Sequence, residues 1–507
     1  MGKDKTIVLV SPNSHPNASQ VFAPSSSFIY SFDPRKSTTD RDDSTSKLKP
    51  HSIPVCTPLP PASTVSSLEL PPMPAISEPL SSTPTSLLPE ILAMRHVLGL
   101  QPFSWLPTPY RSLLDYFVHV ASKSFSAHTY IQDEFCSVLI TMALQTSHLL
   151  AAVLRLAAIH QIAAGFSQDD TRVLQLTAFS ITKCRNALEL VLGCPDDAMV
   201  ATILALCLGD IVSGGEKPQS WRSHLDGAAA LLGQDAKGWL SDYASAPYPT
   251  ARAFIFRWFV SFQTIAHLCG SNPLSPTGSR IALEFARKSS EDYIDDFLGF
   301  SPKLIPVFAE ISLLLLEQRT INLETEDMGS IKFSTLRRER YDRLVEEVWS
   351  MLRSNFPSPR DDVEIFLSRT SRSDLIKLNE AYHHVALLQL YQRLLNLPST
   401  SVETQSSVKE IISLVSDMTL SQGPCPAVAL LQPLFTAGCA AIRAEDRRIL
   451  RNLLETMASN FGLANVRRSI DFLDSLWSYR DTQYDESGLY RWDDYIGMIS
   501  VGSIDCI

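Results

Sequence analysis

The sequence predicts an all-α protein. Apolar residues recur at helical spacing over most of the chain from about residue 104 onward. Alternating strand-like runs and hairpin dipeptides are scarce, and the Pro-, Ser- and Gly-rich interruptions are short. The 507 residues are 45% hydrophobic, enough for a substantial core. No repeat of roughly 34 or 40 residues recurs, which argues against a regular solenoid. One irregular multi-helix body over 96–507 is therefore expected, behind an arm over 1–95.

The arm is read from composition. Fifteen of the 32 prolines and eighteen serines fall in the first 90 residues. Stretches such as "PLPPASTVSSLELPPMPAISEPLSSTPTS" carry too little apolar surface to offset the entropy of ordering, so disorder is expected there. After it, Phe135 to Phe166 reads as two helices meeting near Thr146 and Ser147. Asp196 follows Pro195 and can cap the next helix, with Asp197 in its first turn. Val200, Ile203, Leu204, Cys207, Leu208 and Ile211 then mark one helix face. Further helical patterns cover 251–269, 302–320, 335–355, 374–396, 405–420, 427–442, 445–460 and 464–480.

Charge narrows the function classes. The net charge is −10, which argues against a nucleic-acid-binding fold, since phosphate contact needs clustered Lys and Arg. The densest basic run, Leu336 to Arg343, contains Glu339 and Asp342 and reads as a solvated helix face. The apolar run Met199 to Leu208 is far short of the roughly 18 residues a membrane span needs, and no membrane association is expected. The nine cysteines lie at least ten residues apart, giving no C-x2-C half-site for zinc and no redox pair. They read as reduced, mostly buried thiols.

Catalytic patterns are equally thin. "SGGEKPQS" has its glycines and lysine in the wrong order for a phosphate loop, and no G-x-S-x-G or H-E-x-x-H occurs. His383 and His384 are adjacent, so on a helix they diverge by about 100° and make a poor metal clamp. An all-helical enzyme holding magnesium diphosphate remains the best enzymatic alternative, because "EDYIDD" (Glu291 to Asp296), "RDDVE" (Arg360 to Glu364) and "WDDYIG" (Trp492 to Gly497) supply carboxylates. Asp292 and Asp295 have the one-turn spacing, but no second metal motif follows. Caps and solvated loops explain these runs better. No catalytic residue, cofactor or metal is expected.

"SWRSHLDGAAALLG" (Ser220 to Gly233) asks why a helix accepts a central glycine, which costs about 1 kcal/mol relative to alanine. At 100° per residue, Leu225, Ala228 and Leu232 fall within about 40° of Trp221. His224, Gly227 and Leu231 gather on one flank, while Arg222, Ser223 and Asp226 lie opposite. Two neighbours are expected, with Gly227 letting a second backbone come close and His224 donating to a neighbouring carbonyl. Ser220 and Gly233 are expected as N-cap and C-cap.

The spacing W-x-x-H-L-x-G-A, here Trp221, His224, Leu225, Gly227 and Ala228, resembles the hallmark of the fungal-specific transcription factor domain. Leu149 to Gln161 is similar to the family's early Ala/Leu helix, and Asp295 to Leu314, with Gly299, to its L-G-x-x-x-x-L segment. Ala381 to Leu394 resembles a helix ending in an aromatic and Arg. Pro433 to Arg447, with Gly438, and Leu473 to Asp481, with Trp477, resemble its C-terminal A-G-C-A and W-x-x-R-D pieces. The resemblance covers about 104–498.

It implies a non-enzymatic nuclear regulator of transcription, controlling a metabolic or secondary-metabolite gene set. Such domains usually follow a six-cysteine zinc cluster, and these 507 residues hold no C-x2-C pair. Direct DNA binding is therefore not expected of the chain alone. Its expected partners are other transcriptional regulators or DNA-binding proteins, with homo- or heterodimerisation and a small-molecule effector left open. A non-nuclear helical scaffold is the alternative outside transcription.

Overall fold

A computed structural model of the protein describes residues 105–190, 196–214, 220–245, 250–269, 274–289, 292–324, 330–354 and 357–482. The arm over 1–95, the "WDDYIG" run, Glu291 and Cys56, Cys194 and Cys506 lie outside these residues. Among the described residues there is no strand, only the isolated bridges Ile294–Pro359 and Asp295–Phe300. The all-α expectation holds.

The longer helices are α1 (Thr108–His119), α2 (Ser147–Ala163), α3 (Asp170–Leu190), α4 (Asp197–Val212) and α5 (Ser220–Gln234). They continue as α6 (Ala236–Ser245), α7 (Ala251–Ala266), α8 (Pro276–Lys288), α9 (Leu304–Glu324) and α10 (Ser330–Arg353). The last are α11 (Arg369–Gln389), α12 (Val402–Ser416), α13 (Leu431–Ala440), α14 (Ala444–Phe461) and α15 (Ala464–Thr482).

Local chemistry sets the ends. Thr146 is extended just before α2, at the break expected within Phe135 to Phe166. The Asp196 carboxylate accepts the Ala198 N–H at 3.1 Å, as its position after Pro195 predicts. Thr250, Ser368 and Ser401 cap α7, α11 and α12 in the same way. Gly462 ends α14 at φ 64°, a left-handed position that glycine takes without strain. A Cβ there would also come 2.9 Å from the Ala164 Cβ.

Helices α2 and α4 form the centre. Both are apolar around most of their circumference, so each must be wrapped by neighbours rather than lie on the surface. Helix α2 packs on α1, α3 and α4, and α4 packs on α5 and α7. In the C-terminal part α11, α12 and α13 pack mutually, and α14 and α15 lie against α13. His160 ties α2 to both sides. Its Nε2 donates to the Phe461 carbonyl at 2.9 Å, so its Nδ1 accepts from the Tyr116 hydroxyl at 2.9 Å. That neutral tautomer agrees with a pKa pushed down by burial.

Candidate functional site

Two buried charged residues stand out in largely apolar helices: Arg155 in α2 and Asp210 in α4. They pair with each other in the interior. Arg155 Nε also donates to the Thr177 hydroxyl of α3 at 2.7 Å, and Nη1 donates to the Leu206 carbonyl at 3.2 Å. The second Asp210 oxygen lies 3.4 Å from His224 Nε2 on α5. Burial alone would raise the Asp210 pKa. The His224 hydrogen bond and the Arg155 charge outweigh it and bring it down to about 2. A cation, an anion and an imidazole thus join α2, α3, α4 and α5 in one joint. Gly209 makes room for it, since a Cβ there would run into the Arg155 guanidinium.

The motif helix is buried where its period predicts. Trp221, Leu225, Ala228 and Leu232 lie in the core. Three finer expectations are corrected. His224 faces the Asp210 carboxylate rather than a backbone carbonyl. Gly227 is not a close backbone joint, because a Cβ there would meet only Ile203 Cγ2 at 3.9 Å. Gly233 does not stop the helix, which runs on to Gln234; its Cβ position lies 2.6 Å from the Thr277 methyl of α8. Arg222 is buried and donates to the Cys269 carbonyl. Ser220 is the first residue of the helix, and its hydroxyl bonds Asp210.

The other motif residues also serve packing. Gly299 takes φ 81° in a turn that Asp295 closes by accepting the N–H groups of Phe297 and Leu298, each at 3.0 Å. A Cβ at Gly299 would lie 2.7 Å from Leu378 Cδ2. Gly438 and Trp477 meet directly, the indole donating to the glycine carbonyl at 2.9 Å. Arg480 donates to the Cys439 carbonyl at 2.6 Å, and Arg447 pairs with Asp481 at 2.8 Å. The two C-terminal motif pieces therefore dock on one another.

The described aspartates of the "EDYIDD" run face protein cations. Asp292 pairs with Lys303 at 2.8 Å and accepts from Ser301 at 3.0 Å. Asp295 and Asp296 are fully buried around Arg257 of α7, which pairs with Asp296 and lies 3.6 Å from Asp295. His128 Nε2 donates to Asp296 at 2.8 Å, and Glu134 lies 3.7 Å from Arg257. Burial pushes the Glu134 pKa up to about 7 despite Arg257, while Arg257 and His128 hold Asp296 well below the usual carboxylate range. This is the chemistry of an internal ion cluster. Among the described residues, no group of His, Cys, Asp and Glu has a geometry to hold a metal ion.

His383 and His384 are buried in α11. His383 bonds the Asn379 carbonyl at 2.7 Å, and His384 packs edge-on against Trp349. The six described cysteines are buried and unpaired with one another. Among the described residues, no helix is long and apolar enough to cross a membrane.

A family model described as the fungal specific transcription factor domain matches residues 112–499. The chain is similar to the pestheic acid cluster transcriptional regulator 3 of Pestalotiopsis fici, at 28% identity over 106 residues. That stretch is 20% of this chain and 18% of the relative, so the chain spans less than a fifth of that protein's length. No solved structure matches the chain.

Proposed function

The chain belongs to the fungal-specific transcription factor domain family, and from that membership we propose that it is a non-enzymatic transcriptional regulator acting in the nucleus. The observation that carries this reading is the family match over 112–499, most of the helical body. The use of the motif residues supports it. Trp221, Gly299, Gly438 and Trp477 hold helices together, and the aspartates suited to metal chemistry are neutralised by Lys303 and Arg257. The body is a helical platform for interactions, acting through other transcriptional regulators or DNA-binding proteins, as a homo- or heterodimer.

The similar regulator is named for a metabolite gene cluster. By that likeness the target here is a metabolic or secondary-metabolite gene set. Fusing the full chain to a heterologous DNA-binding domain is expected to change output from a reporter promoter several-fold. Deleting the gene is expected to change transcripts of one coherent gene set. An unchanged reporter, with the tagged chain excluded from the nucleus under all conditions, overturns the reading in favour of a helical scaffold.

A further inference from the structure

Helix α3 has two faces of different kinds. Its buried residues are Leu176, Ser180 and Cys184, each about one turn from the next and so on one side. That side lies on α2, against which α3 chiefly packs, and Ser180 donates to the His148 carbonyl at 2.9 Å. Leu174, Ala178, Ile181, Arg185 and Leu188 run along the opposite side, and none of them is buried. Leu174 is 65% exposed. The spacing of these five alternates four and three residues, the a/d repeat of a coiled-coil seam carried over two heptads. A singly exposed leucine is ordinary, but an apolar row at helix-pairing spacing marks a contact face.

The charges along the seam choose its partner. Asp170 stands at the start of α3 and Arg185 near its end, both exposed. Two parallel copies in register would set Arg185 against Arg185. Turned antiparallel, the Ala178 of one copy faces the Ile181 of the other, and Leu174 faces the stem of Arg185. Asp170, one turn beyond Leu174, then meets the guanidinium. Each contact occurs twice about a two-fold axis, and the helix dipoles oppose favourably. Arg185 lies 3.7 Å from Glu189 of its own helix, an exposed pair weak enough to rearrange.

We propose that the outer face of α3 is a homodimer surface, on which two copies of this chain pair their α3 helices antiparallel about an axis near Ala178 and Ile181. The small side chain of Ala178 lets the helices come close there. The 21 residues of α3 span about 31 Å. One such helix pair makes an interface at the small end of the stable range, so dissociation in the micromolar range is expected. The inference rests on the dimer of the proposed function and gives it a surface. Assembly is measured on the purified chain, so its failure leaves the transcriptional reading to the reporter.

The test is sedimentation of the full chain across the micromolar range, with circular dichroism to check that each variant keeps its helices. The expected result is a monomer–dimer equilibrium. Ala178→Glu and Arg185→Glu, both at exposed positions, are each expected to weaken it at least about tenfold by setting a charge against an apolar or acidic neighbour. Asp170→Arg combined with Arg185→Glu is expected to restore the dimer, because each new cation again meets an acid across the axis. A chain that stays monomeric throughout, as when its own arm or another protein takes this face, overturns the homodimer. A dimer undiminished in Ala178→Glu overturns the face. A dimer that Arg185→Glu leaves intact, or that the paired substitution fails to restore, overturns the antiparallel register.

Discussion

The indole of Trp477 donates to the carbonyl of Gly438, joining α15 to α13 across 2.9 Å. The glycine is required by what surrounds that bond, since a Cβ at 438 would lie 2.7 Å and 3.0 Å from the two Leu473 methyl groups. Gly438→Ala is therefore expected to destabilise the protein by about 1–3 kcal/mol through overpacking. Trp477→Phe, which keeps the ring and loses the donor, is expected to cost about 1 kcal/mol. Denaturant unfolding of both variants checks this. Parental stability in Gly438→Ala would mean that Leu473 yields freely.

Gly227 is expected to behave in the opposite way. Only Ile203 approaches its Cβ position, at 3.9 Å, so nothing crowds a methyl there. Gly227→Ala should stabilise the protein by up to about 1 kcal/mol through helix propensity. Gly233→Ala should not share that gain, because its methyl would meet Thr277 at 2.6 Å. Comparing the two unfolding midpoints decides which glycine of the motif marks a close contact.

The contrast shows what periodicity can and cannot reveal. The buried face of Trp221, Leu225, Ala228 and Leu232 was legible because a helix repeats at a fixed angle. The Asp196 cap was legible because it depends on residues adjacent in sequence. Which glycine faces a neighbour was not legible, because it depends on where α4 and α8 lie. The partner of His224 was hidden for the same reason. Asp210 and Arg155 were nevertheless conspicuous as charges inside apolar runs, and opposite charges placed so are expected to meet. The burial of Arg222 was hidden as well, because it depends on the chain at the end of α7, whose Cys269 carbonyl it meets.

Asp210→Asn tests the joint between α2, α4 and α5. It leaves Arg155 buried without its counter-charge, and loss of one partner of a buried pair costs about 3–5 kcal/mol. The wild type adds a pH signature. Asp210 falls to about 2 in the folded state from an ordinary 3.8, so the unfolded chain binds the proton first as pH drops. Its stabilisation is present above about pH 3.8 and is lost as pH falls towards 2. Unfolding free energies across that range should show a positive slope that Asp210→Asn reduces. An unchanged slope would place the acid sensitivity elsewhere.

Glu134 predicts a slope of the other sign. Its pKa rises from 4.5 to about 7 on folding, because burial beside Asp295 and Asp296 outweighs the attraction of Arg257. The folded state then holds the proton more tightly than the unfolded chain. The Glu134 contribution is complete below about pH 4.5 and is lost as pH rises through about 7. His267 and His384, both pushed down to about 4 by burial, act oppositely, since the unfolded chain takes up their protons first as pH falls below 6.5. Total stability therefore mixes opposing terms over the same range, and the comparison with Glu134→Gln isolates one of them. The variant should match the parent near pH 5 and become the more stable protein by pH 8, because the amide keeps the neutral acid's shape and cannot ionise. A stability difference that stays constant from pH 5 to pH 8 would show that Glu134 is ionised throughout, with Arg257 shared among three carboxylates.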